Sequence, residues 1–173
     1  SEFSHIATTT IGVARPLAEG KDLYLIVEAP AAAPGQDVLA SALEPLYENG
    51  LVLDAAVAQS EKDRAAFWAL RESVYEYARH LPKEVGFDIS IPLNRLQDAI
   101  AALRTDVPSA VPGAVWSVFG HIADSNVHVV IMPPAWSDDA KYAAEKAVYG
   151  VTQRFGGSVS AEHGIGRMKK PWL

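Results

Sequence analysis

Two β-rich runs, residues 114–122 and 127–132, are separated by the four turn-type residues Ala123-Asp124-Ser125-Asn126. Strand formers on both sides of so short a polar break read as a hairpin. A hairpin makes its strands antiparallel, so a wholly parallel sheet is excluded. The rest of the chain has to be arranged around that pair.

Residues 22–28 (DLYLIVE) and 51–58 (LVLDAAVA) are rich in strand formers and read as strands, the first closed by Pro30. Between them, over 36–49, Val38, Leu39, Ala42, Leu43 and Leu46 recur at helical spacing. Pro45 predicts a kink or early stop there, and Gly50 a C-terminal cap. The clearest helix is 61–80. Ser60 and Asp63 resemble a capping box with Asp in place of Glu. Phe67, Leu70, Val74, Tyr77 and Leu81 form one stripe, and Trp68, Arg71, Tyr75 and Ala78 the next. Arg71 and Tyr75 therefore share a face.

Residues 85–91 (VGFDISI) alternate as a strand does and end at Pro92; 94–104 make a helix through Leu96, Ala99, Ile100 and Leu103. Ser137, Asp138 and Asp139 start a helix whose buried face is Ala140, Ala144, Ala147, Val148, Val151 and Phe155. Gly156-Gly157 stop it, and 158–160 predict a last strand. The order is β-α-β-α, then β-α-β-β-α-β. It predicts an α+β fold, with helices packed on a mainly antiparallel sheet and two halves alike in layout.

Composition excludes several classes. The chain has 173 residues, 49% hydrophobic, enough for one large domain or two small ones sharing a core. It has no Cys, so disulfides, thiolate catalysis and Cys-ligated zinc or iron–sulfur sites are excluded. That fits a cytoplasmic location. A net charge of −6 argues against general nucleic-acid binding but leaves room for one basic pocket. No apolar run reaches the ~20 residues of a transmembrane segment. Both ends look cut. Residues 1–20 are expected to hold a tag remnant and an interdomain segment, and residues 21–173 a domain truncated at its end.

Three of the five His lie between 121 and 163. His121 and His128 flank the hairpin turn. Seven apart on one straight strand they would point to opposite faces; across a turn they can converge as ligands for a divalent metal. The plainer alternative is one buried, hydrogen-bonded His and one exposed His. The second segment is Gly156-Gly157-Ser158-Val159-Ser160-Ala161-Glu162-His163-Gly164-Ile165-Gly166-Arg167. Glycines around Glu162-His163 let the backbone approach a ligand closely. A carboxylate beside an imidazole offers a third metal ligand and a general base. The alternative is a helix stop followed by a solvated loop. Arg71 could grip a carboxylate with paired hydrogen bonds or simply pair with Glu72 or Glu76. Lys169-Lys170 and Asp138-Asp139 read as solvated ends.

Together these segments resemble the C-terminal domain of FAD-linked 2-hydroxy-acid dehydrogenases, a group with D-lactate dehydrogenases, the glycolate oxidase flavin subunit and D-2-hydroxyglutarate dehydrogenase. The match rests on Trp68-Ala69-Leu70-Arg71-Glu72, Asp88-Ile89-Ser90-Ile91-Pro92, Phe119-Gly120-His121 through Asn126-Val127-His128, and Gly156-Gly157-Ser158 through Glu162-His163-Gly164-Ile165-Gly166. The resemblance implies a duplicated ferredoxin-like α+β domain. It implies that His121, His128 and Glu162 bind zinc or manganese, which holds the substrate's carboxylate and 2-hydroxyl. His163 would take the hydroxyl proton as hydride leaves C2 for the flavin. Arg71, beside Tyr75, would hold a substrate carboxylate. The FAD-binding half would be a separate N-terminal domain, so this chain alone is expected to be inactive. The implied partners are a small 2-hydroxy acid and a separate electron acceptor, and a homodimer stays open.

The chain departs from the family in three places. The hairpin turn, often Gly-Asp-Gly-Asn, is Ala123-Asp124-Ser125-Asn126 here. Members acting on 2-hydroxyglutarate often carry Lys where this chain has Gly86 and Asn where it has Val130. Two other readings stay open at this point. One is a flavin-independent metal hydrolase or lyase using the same His-His-Glu set. The other is a non-catalytic ferredoxin-like regulatory module with structural His.

Overall fold

The computed structural model describes residues 2–18, 20–21, 23–30 and 37–173. The chain divides into two units, Phe3–Tyr75 and Glu76–Leu173.

The first unit is helical among its described residues, with α1 (Glu2–Thr9), α2 (Val38–Glu48) and α3 (Glu61–Glu72). Asp37 caps α2 by accepting from the Ala40 N–H, and Gly50 ends it with a left-handed φ of +69°. Pro45 does not stop this helix, which runs on to Glu48. The Ser60–Asp63 box forms as read. Ser60 Oγ accepts from the Asp63 N–H at 3.2 Å, and Asp63 accepts from the Ser60 hydroxyl and the Gln59 N–H. Glu28 pins its segment to α3 by accepting from Arg64 Nε and Trp68 Nε1.

The two strands expected in this unit are not formed among the described residues. Residues 23–30 and 51–59 are extended or irregular, without a ladder (Asp22 lies outside the described residues). Leu23, Leu25 and Val27 are exposed, as are Leu51, Leu53 and Val57. Strand propensity reflects packing on a half-buried sheet, and among the described residues these runs make no ladder.

The helix read over 61–80 is interrupted by a 3-10 turn at Ser73–Glu76, and the second unit continues with α4 (Tyr77–His80). Its sheet comprises β1 (Val85–Ser90), β2 (Val115–His121) and β3 (Asn126–Met132), in the antiparallel order β1-β3-β2. Between β1 and β2 lies α5 (Leu96–Ala110); after β3 comes α6 (Asp138–Arg154). α5 overruns the expected end at 104 because Val107 extends the buried stripe of Ala99 and Leu103, with Pro108 in its last turn.

Alternation assigns the two faces of the sheet. Val85, Phe87 and Ile89 of β1 stand beside Ile131, Val129 and Val127 of β3. Together with Ala99, Leu103 and Val107 of α5 and Ala144, Val148 and Val151 of α6, they form the core. Each fully buried large side chain contributes roughly 1.5–3 kcal/mol relative to exposure. Phe87 meets Tyr149 edge-on at 5.3 Å, and Trp172 stacks on Tyr149 from the chain's end.

The last expected strand is reduced to one antiparallel bridge, Ser158 with Ser90. Gly157 makes it feasible, since a Cβ there would lie 2.2 Å from the Ser90 carbonyl oxygen. Counting that bridge, the unit runs β-α-β-β-α-β, one ferredoxin-like repeat. The duplicate expected in the first half is not formed among the described residues.

Candidate metal centre

The second face of the sheet carries the polar residues. Asp88 of β1, His128 of β3 and Phe119 of β2 make one row across the strands; Ser90, Asn126 and His121 make the next. His121 and His128 are thus diagonal neighbours, with ring centroids 5.8 Å apart. Convergence across the turn is the arrangement formed. The turn is a 3-10 segment, Ile122–Asp124, followed by Ser125 at a left-handed φ of +57°. Ser125 stands where the family often has Gly, and it takes the conformation glycine would favour. At Gly120 a Cβ would lie 2.2 Å from the Asn126 carbonyl oxygen, so only glycine permits the close approach beside His121.

Glu162 reaches this face from the segment after α6. Its Oε1 accepts from Asn126 Nδ2 at 2.6 Å. The donor atoms of His121, His128 and Glu162 lie within 4.8 Å of one another. His121 and Glu162 are exposed and His128 half-buried, so the cluster opens on solvent in this chain. Two imidazoles and one carboxylate with an open side are a donor set suited to a catalytic divalent metal.

Asp88 underlies the cluster. Its carboxylate is buried and accepts from three successive main-chain N–H groups, those of Ala161 (3.2 Å), Glu162 (3.0 Å) and His163 (2.7 Å). Lys169 Nζ stands 3.7 Å from the same carboxylate and donates to the Asp88 carbonyl and to Ser160 Oγ. Burial alone would raise the Asp88 pKa. The His163 and Glu162 N–H groups, Lys169 and the Ala161 N–H outweigh it, and the carboxyl sits below its ordinary value. Lys169 is therefore no solvated end, whereas Lys170, Asp138 and Asp139 are exposed as read. The His163 side chain is exposed, with Nδ1 3.8 Å from Asp88.

Arg71 and Tyr75 belong to the first unit, Arg71 in the last turn of α3 and Tyr75 in the 3-10 turn after it. Tyr75 is exposed, and Glu76 pairs with Arg79. Asp88 and Asn126 had no role in the sequence reading. The signal for Asp88 was a carboxylate inside an otherwise apolar alternation, VGFDISI.

Fold and cluster together define an α+β domain in which two imidazoles and one carboxylate, groups that could hold a metal, meet on the second face of the sheet. All of residues 1–173 match the family described as FAD linked oxidases, C-terminal domain, and the chain belongs to that family. It is 34% identical over 175 residues to the mitochondrial D-2-hydroxyglutarate dehydrogenase of Bos taurus, covering 100% of this chain and 32% of that protein. Against the D-2-hydroxyglutarate dehydrogenase of Xanthomonas citri pv. viticola it is 34% identical over 171 residues, 94% of this chain and 35% of that one. The mitochondrial enzyme of Rattus norvegicus is 35% identical over 149 residues, 85% of this chain and 28% of that protein. The chain thus spans about a third of the length of these relatives. No helix among the described residues is long and apolar enough to cross a membrane.

Proposed function

We propose that this chain is the substrate- and metal-binding domain of an FAD-linked dehydrogenase that oxidises a D-2-hydroxy acid to the 2-oxo acid. The observation that supports it is the convergence of His121, His128 and Glu162 in a chain of the FAD linked oxidase family. The donor set suits zinc or manganese. Such an ion supplies Lewis acidity toward the substrate's carboxylate and 2-hydroxyl.

Oxidation removes a hydride from C2 and a proton from the hydroxyl. FAD, held mainly by the rest of the parent protein, supplies the hydride acceptor, and a separate electron acceptor regenerates it. His163 takes the proton: its imidazole is solvent-facing, and its main chain is held on Asp88 beside the ligand Glu162. Arg71, with Tyr75, holds the substrate carboxylate. A cytoplasmic location and a homodimer complete the reading. Family membership disfavours the hydrolase, lyase and regulatory alternatives.

The substrate class can be narrowed. Gly86 and Val130, where the hydroxyglutarate enzymes often carry Lys and Asn, are paired directly across β1 and β3 on the face of Asp88 and His128. Neither offers a polar side-chain group for a second carboxylate. Fewer polar contacts there weaken the case for a dicarboxylate substrate.

The test is metal content and turnover in the full-length parent protein. Glu162→Gln and His128→Ala should lose bound metal. His163→Ala should keep it while kcat falls on the order of 10²–10⁴-fold. Arg71→Ala should lower kcat/KM about 10²-fold. The 173-residue chain alone, given FAD and a dye, should not turn over. If His163→Ala loses metal as completely as His128→Ala, His163 is a ligand and the proton acceptor lies elsewhere.

A further inference from the structure

Glu162 is an unusual place for a metal ligand. Residues 161–168 are all exposed, and among the described residues the only ladder contact nearby is the single Ser90–Ser158 bridge. A carboxylate on such a segment would sample many positions unless something else held it. Two buried residues on the sheet do so from different sides.

Asp88 holds the main chain. Three consecutive N–H groups converge on one carboxylate, with the Glu162 N–H in the middle. Lys169 closes the same loop by bonding Ser160 Oγ and the Asp88 carbonyl. Asn126 holds the side chain. Its own backbone is locked between Ser90 and His121 in neighbouring strands, and its amide N–H occupies one oxygen of Glu162. The other Glu162 oxygen is left for a ligand. Asn126 is 3% exposed, and its Oδ1 is buried with no hydrogen-bond partner among the described residues. An unpaired buried acceptor is costly, and a residue serving packing alone would not carry it.

We propose that Asp88 and Asn126 are positioning residues that together fix Glu162 as the third metal ligand, Asp88 through its main chain and Asn126 through its carboxylate. The inference rests on the metal reading above. Asp88 also faces a second ligand, with His128 Nδ1 4.0 Å from its carboxylate across the β1–β3 pair. One buried carboxylate therefore adjoins two of the three ligands. Such outer partners set ligand orientation, and their loss typically costs about 10–100-fold in metal affinity.

The experiment is a Co²⁺ titration of the metal-stripped 173-residue chain, read by affinity and by the visible absorption band of the bound ion. Asn126→Ala should weaken Co²⁺ binding about 10–100-fold. Its band should move toward that of Glu162→Gln, while thermal unfolding of the metal-free variant stays cooperative. Asp88→Asn should show the same loss. In addition, the amides of residues 161–163, slow to exchange in the metal-free wild type, should exchange fast. If Asp88→Asn does not fold, wild-type amide exchange and the Asn126 variant carry the two halves separately. Fast exchange at 161–163 in the wild type would overturn the Asp88 half. A wild-type chain that binds Co²⁺ while both variants bind within twofold of it would overturn the whole inference and leave the metal site standing. A wild-type chain that takes up no Co²⁺ would remove the metal reading and this inference together.

Discussion

Tyr77 and Tyr149 show what enclosure does to single ionisable groups in this chain. Burial pushes each phenol up to about 12; Ser117 opposes it at Tyr77, and Glu145 and Asp88 reinforce it at Tyr149. A group whose pKa is raised on folding stabilises the fold fully below its unfolded value, here about 10, and loses that contribution as pH rises to its folded value. Stability should therefore fall between about pH 10 and 12, by on the order of 2 kcal/mol per tyrosine. Denaturation at stepped alkaline pH checks this: Tyr77→Phe and Tyr149→Phe should each flatten the fall. An unchanged slope in both would mean these phenols are already solvated in the folded chain. At this scale the sequence was legible for the cluster and poor for its supports. His121, His128 and Glu162 could be picked out as candidate ligands because few residue types bind metals, and the structure brings their donor atoms together. Asp88 and Asn126 were missed because a carboxylate in a strand and an Asn in a turn have ordinary explanations. Lys169 was missed because only the folded chain brings residue 169 back to residue 88.

The hairpin is the element on which the site depends, and its turn can be tuned in both directions. Gly120→Ala places a methyl against the Asn126 carbonyl and should destabilise the chain by roughly 1–3 kcal/mol, the usual range for overpacking. Ser125→Gly should stabilise it by about 0.5 kcal/mol, since a non-glycine in the left-handed region costs about 1–2 kcal/mol and glycine's extra unfolded freedom returns part of that. Urea unfolding of the two variants measures both signs; a stabilising Gly120→Ala would refute the close approach. Element by element, the second half was readable because its periodicities are long and its helix start explicit, as at Ser137. Its last strand failed because a run of three residues earns only one bridge. The first half failed at 22–28 and 51–58 because composition reports suitability for a sheet, while forming one requires a neighbouring edge to bond.

Across the whole molecule, each proposed metal ligand, with Asp88, Asn126 and Lys169, falls in the second unit, Glu76–Leu173, which also holds the three-stranded sheet. The first unit holds Arg71 and Tyr75 and the two unladdered runs. The α+β class was legible because one hairpin forces strands beside the helices; the duplication was not, because it depends on contacts these runs do not make among the described residues. Those runs have a further consequence, for handling the protein. Residues 23–27 combine high β-propensity, branched or aromatic side chains and no internal charge, and they display Leu23, Leu25 and Val27 to solvent. Such windows stack between molecules into cross-β assemblies. At high concentration the chain should aggregate through this stretch, and Leu25→Lys should delay thioflavin-positive assembly while leaving Co²⁺ uptake unchanged. Equal assembly rates for the two proteins would show that colloidal instability begins elsewhere.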